Sequence, residues 1–86
     1  MAAIKVYGAD WCHMTRSTLE HLDDLGVEYD YVDIDDDPRA CQWVKDQNRG
    51  KEKKPTVDVA GKVLTTPSDE KLDAALEEAG LLRRAA

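Results

Sequence analysis

The spacing of the apolar residues changes repeatedly along the chain, and the order of these changes restricts the folds that it can adopt. Residues 3–7 alternate apolar and polar side chains and stop at Gly8, which predicts a short strand. From Cys12, leucines recur at three-residue spacing until Gly26, which predicts a helix that ends on a glycine. Residues 27–34 return to a period of two and predict a second strand.

The rest of the chain continues with the same two periods. Pro38 follows three aspartates in a position suited to a first helical turn, and this helix is predicted to run as far as Gly50. Residues 56–65 alternate on both sides of a central glycine and predict an antiparallel hairpin. Ser68 can cap a last helix, which is predicted to end at Gly80.

The predicted order is therefore βαβαββα, within one domain that spans residues 1–86. A strand, a helix and a strand form a parallel pair through a right-handed crossover, and the hairpin then adds antiparallel strands to the same sheet. A four-stranded mixed sheet with helices on both faces is the arrangement of the thioredoxin-like α/β fold. Cys12 falls in the loop after the first strand, at the carboxyl edge where open α/β sheets bind their ligands.

Composition and charge narrow the classes of function. The net charge of -6 disfavours binding to nucleic acid. No run approaches the roughly 18 to 20 apolar residues that cross a bilayer, and the first residues lack the apolar core of a secretion signal. We therefore expect a cytoplasmic protein without a membrane partner, in which Cys12 and Cys41 are both thiols.

Cys12 has the setting of a reactive thiol. A cysteine at a helix start lies beside unpaired backbone amides and the positive end of the helix dipole, and both favour the thiolate. Free cysteines are more often small buried apolar residues, but Cys12 stands outside the apolar stripe of its helix. The carboxylate of Asp10 would oppose the thiolate unless it points away or a lysine approaches.

Four segments, in a fixed order, resemble the glutaredoxins and most of all their mycoredoxin branch. They are WCHMT at the first helix, VEYDYVDI at the second strand, KKPTV before the hairpin and TTPSDEKL at the last helix. The resemblance extends from Ile4 to Gly80, and it is the order and spacing of the segments that make it specific. It implies a thiol-disulfide oxidoreductase that reduces mixed disulfides between proteins and a low-molecular-weight thiol.

The resemblance also implies roles for individual residues. Cys12 matches the attacking cysteine, which takes the small thiol from a mixed disulfide and leaves the client thiol free. Pro55 matches the family's cis-proline, and the backbone of Lys54 before it would lie antiparallel to the bound thiol. Ser68 and Asp69 match the helix start that receives the charged end of a γ-glutamyl group, and a helix N-terminus suits an anion.

Trp11 and His13 flank Cys12 and are expected to contact the small thiol. Trp11 matches an aromatic residue beside the family's site, although an ordinary half-buried tryptophan fits the sequence equally well. Thr15 stands where the family usually has a second cysteine, so a monothiol exchange through Cys12 alone is expected. The hydroxyl of Thr15 either donates to the thiolate or caps the first turn.

Two further features leave alternatives open. Lys53 and Lys54 replace the valine and threonine common before the proline; they either offset Asp10 and attract a carboxylate-bearing thiol, or are solvated surface residues. Cys41 is expected to pack within the second helix. The alternative is a resolving disulfide with Cys12, which requires Cα atoms within roughly 7 Å of each other.

Cys12, His13 and Met14 include soft or borderline metal ligands, but consecutive residues at a helix start point in different directions, so no metal site is predicted. His21 is expected on the outer face of the first helix. Two alternative functions stay open: a dimer that holds an iron-sulfur cluster through Cys12, and a non-catalytic adaptor that keeps the fold alone.

The expected function is that of a glutaredoxin-type enzyme with no bound cofactor. Its expected co-substrate is mycothiol or glutathione, and the resemblance favours mycothiol. Its expected partners are proteins that carry this thiol as a mixed disulfide, on which it acts as a cytoplasmic monomer.

Overall fold

The computed structural model describes residues 2–82. It contains β1 (Ile4–Gly8), α1 (His13–Leu25), β2 (Asp30–Asp33), α2 (Pro38–Gln47), β3 (Thr56–Val59), β4 (Lys62–Thr65) and α3 (Asp69–Glu78). The predicted order βαβαββα is confirmed. Within residues 2–82, no helix combines the length and the low polarity needed to span a bilayer.

Four strands form one mixed sheet in the order β2, β1, β3, β4. β1 runs parallel to β2, with Lys5 opposite Asp30, and antiparallel to β3, with Val6 opposite Val57. β4 pairs antiparallel with β3 to complete the predicted hairpin. The sheet is that of the thioredoxin-like fold, and the carboxyl ends of β1 and β2 meet at one edge.

Two elements are shorter than the sequence predicted. β2 begins at Asp30 rather than at residue 27. Asp30 lies opposite Lys5, the second residue of β1, so residues 27 and 28 fall beyond the start of β1 and have no strand to pair with there. α2 ends at Gln47 rather than at Gly50. Gly50 and the residue before it have φ angles of 84° and 56°, and this left-handed backbone cannot continue a right-handed helix.

Side chains on β1 alternate between two apolar clusters, one on each face of the sheet. The larger cluster joins β1 and β3 to α1 and α3, and its buried members are Ile4, Val6, Leu22, Val57, Val59, Leu72, Ala75 and Leu76. The smaller cluster lies under α2: Ile34, Ala40 and Val44, with Tyr7, Val32, Cys41 and Trp43 packed against it. Each fully buried leucine or valine contributes about 1.5–3 kcal/mol. Helices therefore cover both faces, as predicted.

Side-chain caps fix where α2 and α3 begin. Oδ1 of Asp37 accepts hydrogen bonds of 3.1 Å from the amides of both Arg39 and Ala40. Oγ of Ser68 accepts a hydrogen bond of 3.2 Å from the amide of Lys71, so the predicted cap of the last helix is confirmed. Each cap satisfies amides that the first helical turn would otherwise leave without a partner.

The start of α1 packs directly against the end of β1 at Gly8. A Cβ atom on Gly8 would lie 2.4 Å from Cγ2 and 2.5 Å from Oγ1 of Thr15, which is fully buried. These distances are shorter than van der Waals contact, so only glycine fits between this strand end and this helix. The close approach places Cys12, at the start of α1, beside the edge of the sheet.

Replacing Gly8 with alanine is expected to destabilise the fold by about 1–3 kcal/mol, because the added methyl group overlaps Thr15. Urea denaturation followed by far-UV circular dichroism measures this free energy of unfolding. Adding Thr15→Ala removes the two nearest atoms, so the double variant should lose less than the sum of the two single variants. Strictly additive losses would contradict the close packing.

Candidate active site

Cys12 is the N-cap residue of α1. Its backbone is extended, with φ -81° and ψ 118°, and its carbonyl accepts a hydrogen bond of 3.1 Å from the amide of Arg16. The amide of Cys12 donates to the carbonyl of Ala9 at 3.0 Å, which closes a tight turn after β1. The thiol is partly exposed. The turn therefore presents the sulfur at a helix start, where backbone amides lack helical partners.

Several groups around Cys12 act on the pKa of its thiol. Partial burial opposes ionisation, but the hydroxyl and amide of Thr15, the amide of Met14 and the ammonium of Lys54 outweigh it and lower the pKa below that of an ordinary cysteine. The side chain of Cys12 completes no helix-capping hydrogen bond, so the amides of the first turn have no side-chain cap and remain available to an anion at the sulfur. Cys12 thus carries more thiolate, the form that attacks disulfides, than a free cysteine does.

The hydroxyl of Thr15 faces two groups from its buried position. Oγ1 accepts a long hydrogen bond of 3.4 Å from the amide of Ala9. The N-cap residue of α1 is Cys12, so Thr15 does not cap the helix, and its hydroxyl is one of the groups that lower the pKa of the Cys12 thiol. Of the two alternatives that the sequence left open for Thr15, the N-cap position is taken by Cys12, and the hydrogen bond to the thiolate stays a prediction.

Lys54 precedes Pro55 in the loop before β3, and the peptide bond between them is cis, as the resemblance implied. The ammonium of Lys54 lies 4.6 Å from the centre of the Trp11 ring and 3.2 Å from Oε1 of Glu52. Only 14% of the Lys54 side chain is exposed. Lys54 is therefore not a solvated surface lysine, and its charge acts on the pKa of Cys12.

The carboxylate of Asp10 is turned toward β2. Its Oδ1 accepts a hydrogen bond of 2.8 Å from the hydroxyl of Tyr31. Partial burial and this bond to Asp10 raise the pKa of Tyr31, so the phenol stays protonated and remains a donor at neutral pH. Within residues 2–82, the groups that shift the pKa of Cys12 do not include Asp10. Tyr31 is a residue that the sequence did not single out.

Trp11, His13 and Met14 surround Cys12 in the chain and are exposed. Trp11 is 67% exposed and Met14 is 51% exposed, so the half-buried tryptophan that the sequence also allowed is wrong. The indole N–H of Trp11 donates to Oδ2 of Asp35, in the loop after β2, at 2.7 Å. Asp35 was not predicted as a site residue. Its place after a parallel strand, next to the loop of Cys12, was the signal that could have found it.

The start of α3 makes a second group of contacts. The carboxylate of Asp69, the residue after the cap Ser68, lies 3.7 Å from Nδ1 of His21 on α1. Nε2 of His21 lies 2.7 Å from Oδ1 of Asp73. The expectation that His21 lies on the outer face of α1 is wrong: its side chain is 20% exposed, because α1 and α3 pack on the same face of the sheet.

Both cysteines are free thiols. Cys41 packs against the apolar cluster under α2, which agrees with the packing role expected for it. In the part of the chain from residue 2 to residue 82, no group of three or more histidine, cysteine, aspartate or glutamate side chains is arranged to hold a metal ion.

An activated thiol at the start of the first helix of a thioredoxin-like sheet defines a thiol-disulfide oxidoreductase. The sequence profile of the glutaredoxins matches residues 4–64. The chain belongs to the glutaredoxin family, and it is a thiol-disulfide oxidoreductase.

Similar proteins agree with this assignment. The chain is 46% identical over 57 residues to Mycoredoxin 1 of Corynebacterium glutamicum, a match that covers 66% of this chain and 70% of the relative. It is 34% identical over 76 residues to a Mycobacterium tuberculosis protein assigned to the glutaredoxins, covering 87% and 90% of the two chains.

Two solved structures extend the likeness to the whole sheet. The glutaredoxin of Archaeoglobus fulgidus superposes with a TM-score of 0.73 at 25% identity, over 88% of this chain and 87% of the other. A buckwheat glutaredoxin in complex with glutathione superposes with a TM-score of 0.71, also at 25% identity, over 95% and 83%.

Replacing Lys54 with methionine removes the ammonium and keeps a side chain of similar length. Because this ammonium lowers the pKa of Cys12, the variant's pKa should rise and its alkylation by iodoacetamide at pH 7 should slow several-fold. The two proteins should react alike at high pH, where both thiols are ionised. Lys53→Met, which changes the net charge equally at an exposed position, is the control; an equal slowing there would refute a local effect of Lys54.

Proposed function

We propose that this protein reduces mixed disulfides between proteins and a low-molecular-weight thiol by a monothiol mechanism, with Cys12 as the nucleophile. One observation carries the proposal: a partly exposed cysteine of lowered pKa begins α1, and Thr15 stands where a second cysteine would be needed to form a disulfide. A lone activated thiolate suits exchange in two steps with an external thiol.

In the first step, the thiolate of Cys12 attacks the sulfur of the small thiol in the mixed disulfide. A bond forms between these two sulfurs, the original disulfide bond breaks, and the client protein leaves as a thiolate. In the second step, a second molecule of the small thiol, as its thiolate, attacks the adduct on Cys12. Cys12 leaves as a thiolate and the small thiol leaves as its own disulfide, so that the client sulfur is reduced while the second molecule of small thiol is oxidised.

The surrounding residues would support these steps. The hydroxyl of Thr15 and the ammonium of Lys54 stabilise Cys12 each time it becomes a thiolate. The backbone of Lys54, directly before Pro55, would lie antiparallel to the bound small thiol, as the resemblance to the glutaredoxins implies.

Three further groups would contact the small thiol away from its sulfur. Trp11 and His13 are exposed and flank Cys12 in the chain, so they are available to contact the part of the small thiol next to its sulfur. Ser68 and Asp69, at the N-terminus of α3, would receive its far end, where backbone amides suit an anion.

Mycothiol is the favoured co-substrate, with glutathione as the alternative. The 46% identity to Mycoredoxin 1 supports mycothiol, and the fold shared with a glutaredoxin bound to glutathione supports the alternative. We propose that the chain acts as one cytoplasmic domain and as a monomer, on thiolated client proteins. Its acidic charge supports a function that involves neither nucleic acid nor membrane.

Mass spectrometry of the intact protein, incubated separately with oxidised mycothiol and oxidised glutathione, tests the proposal. We expect one adduct per chain, on Cys12. The variant Cys12→Ser should gain no adduct at position 12. Cys41→Ser is the matched control and should gain the adduct at an unchanged rate, because Cys41 lies on α2 and packs against the smaller apolar cluster. The thiol that reacts faster identifies the co-substrate.

Other outcomes would overturn the mechanism. An adduct on Cys41 alone, or on neither cysteine, would remove Cys12 as the nucleophile. Loss of two thiols without any added mass would indicate a disulfide between Cys12 and Cys41 instead. A brown protein after purification without oxygen, with visible absorbance lost in Cys12→Ser, would assign Cys12 to an iron-sulfur cluster carrier.

A further inference from the structure

Trp11 is mostly exposed, and yet two of its surfaces have fixed partners. Its indole N–H donates to Oδ2 of Asp35 at 2.7 Å, and the ammonium of Lys54 lies 4.6 Å from the centre of its ring. A hydrogen bond to a carboxylate fixes the edge of the ring, and the ammonium lies over its electron-rich face. Trp11 therefore connects Asp35, after β2, with Lys54, before β3.

Asp35 is itself fixed by the backbone around it. Its amide donates to Oδ1 of Asp33 at 2.9 Å, which closes an Asx turn directly after β2. The amide of Ile34 donates to the carbonyl of Gly8 at 2.9 Å, so the chain leaves β2 still bonded to β1. Because β1 and β2 are parallel, Asp35 emerges at the same edge as the loop that carries Trp11.

Lys54 is a long side chain that needs support to keep one position. A free lysine samples many rotamers and its ammonium prefers water, so holding it in place costs conformational entropy. Glu52 pairs with the ammonium at 3.2 Å on one side, and the Trp11 ring lies on another. The ring thus provides a surface against which Lys54 rests, and the ammonium is one of the groups that lower the pKa of Cys12.

We propose that Asp35 and Trp11 form a clamp that holds the ammonium of Lys54 over the ring of Trp11, the residue next to Cys12, which makes Asp35 a positioning residue for the exchange reaction. The proposal rests on the proposed role of Cys12 as the nucleophile. Asp35 bonds to Trp11 and acts on the sulfur through Trp11 and Lys54.

The clamp and the negative charge of Asp35 have opposite effects on the reactivity of Cys12, which makes the proposal testable. A carboxylate near a thiolate disfavours it, so removing Asp35 would make Cys12 more reactive if charge were its only influence. Removing the acceptor for the Trp11 N–H instead releases the ring and the lysine that rests on it, which makes Cys12 less reactive. Asparagine separates the two effects, since it lacks the charge but its side-chain oxygen accepts the same hydrogen bond.

The experiment compares Asp35→Ala with Asp35→Asn by the rate of iodoacetamide alkylation of Cys12 from pH 5 to pH 10, followed by mass. At pH 7 we expect Asp35→Ala to react about two- to fivefold more slowly than Asp35→Asn, the range that corresponds to one exposed cation–π contact. The profile of Asp35→Ala should also be displaced to higher pH. Asp36→Ala, a neighbouring exposed acid, is the control and should match the wild type apart from its small charge effect.

Asp35→Ala and Asp35→Asn are also compared in a Lys54→Met background, by the same alkylation rate. This comparison shows whether Asp35 acts on Cys12 through Lys54. The difference between alanine and asparagine should vanish there, whereas a general loosening of the loop would preserve it. Equal rates for the two Asp35 variants, or a difference that persists without Lys54, would overturn the clamp. Alkylation needs no small thiol, so this failure is distinct from a failure of Cys12 to form the mixed disulfide, which would overturn the proposed function.

Discussion

The contact between Gly8 and Thr15 determines where α1 begins relative to the sheet, and the chemistry of the site depends on it. Thr15 is buried against a strand end that has no room for a Cβ atom. The first turn of α1 is thereby seated at the carboxyl edge of β1, and its amides face the sulfur of Cys12. Thr15 packs this junction and is also one of the residues that lower the pKa of Cys12, so the stability of the junction and the acidity of the thiol depend on the same side chain.

The charged groups around Cys12 favour its thiolate, although the net charge of the whole chain is negative. The protein carries a net charge of -6, which by itself disfavours another anion on its surface. Near Cys12, the carboxylate of Asp10 is occupied by the hydroxyl of Tyr31, and the carboxylate of Asp35 by the indole N–H of Trp11. Lys54 is brought in from a different loop. Hydrogen bonds to the two acids and one well-placed cation together leave the sulfur in a locally favourable field.

The sequence predicted what depends on local patterns and not what depends on distant partners. The spacing of apolar residues and the capping residues are read from positions close together in the chain. They therefore predicted the order of the elements and the cap at Ser68. The start of β2 depends on where β1 begins, which no local pattern records. Residues 21 and 24 positions apart in the chain form the bonds of Tyr31 and Trp11, and His21 faces α3 from across the core.

Within the candidate site, the nucleophile and the cis-proline were accessible to sequence reasoning, and the residues that tune the thiol were less so. Cys12 stands out because a cysteine at a helix start has few structural explanations, and Pro55 followed from the resemblance. In the sequence, Lys53 and Lys54 are equivalent; only the fold shows that Lys54 lies over the ring of Trp11. Asp35 belongs to an acidic run whose members look alike in sequence and differ only in what they face.

The position of His21 between two acids of α3 has a mechanical consequence. This side chain joins the middle of α1 to the first turns of α3, above a core in which Leu22 already packs with Leu72 and Leu76. His21 and the apolar cluster thus join α1 to α3 at two levels, one at the surface and one in the core. A small thiol bound as proposed, with its sulfur at Cys12 and its far end at Ser68, would have to span the distance between the two helix starts, so this distance would select the molecules that the protein accepts by their length.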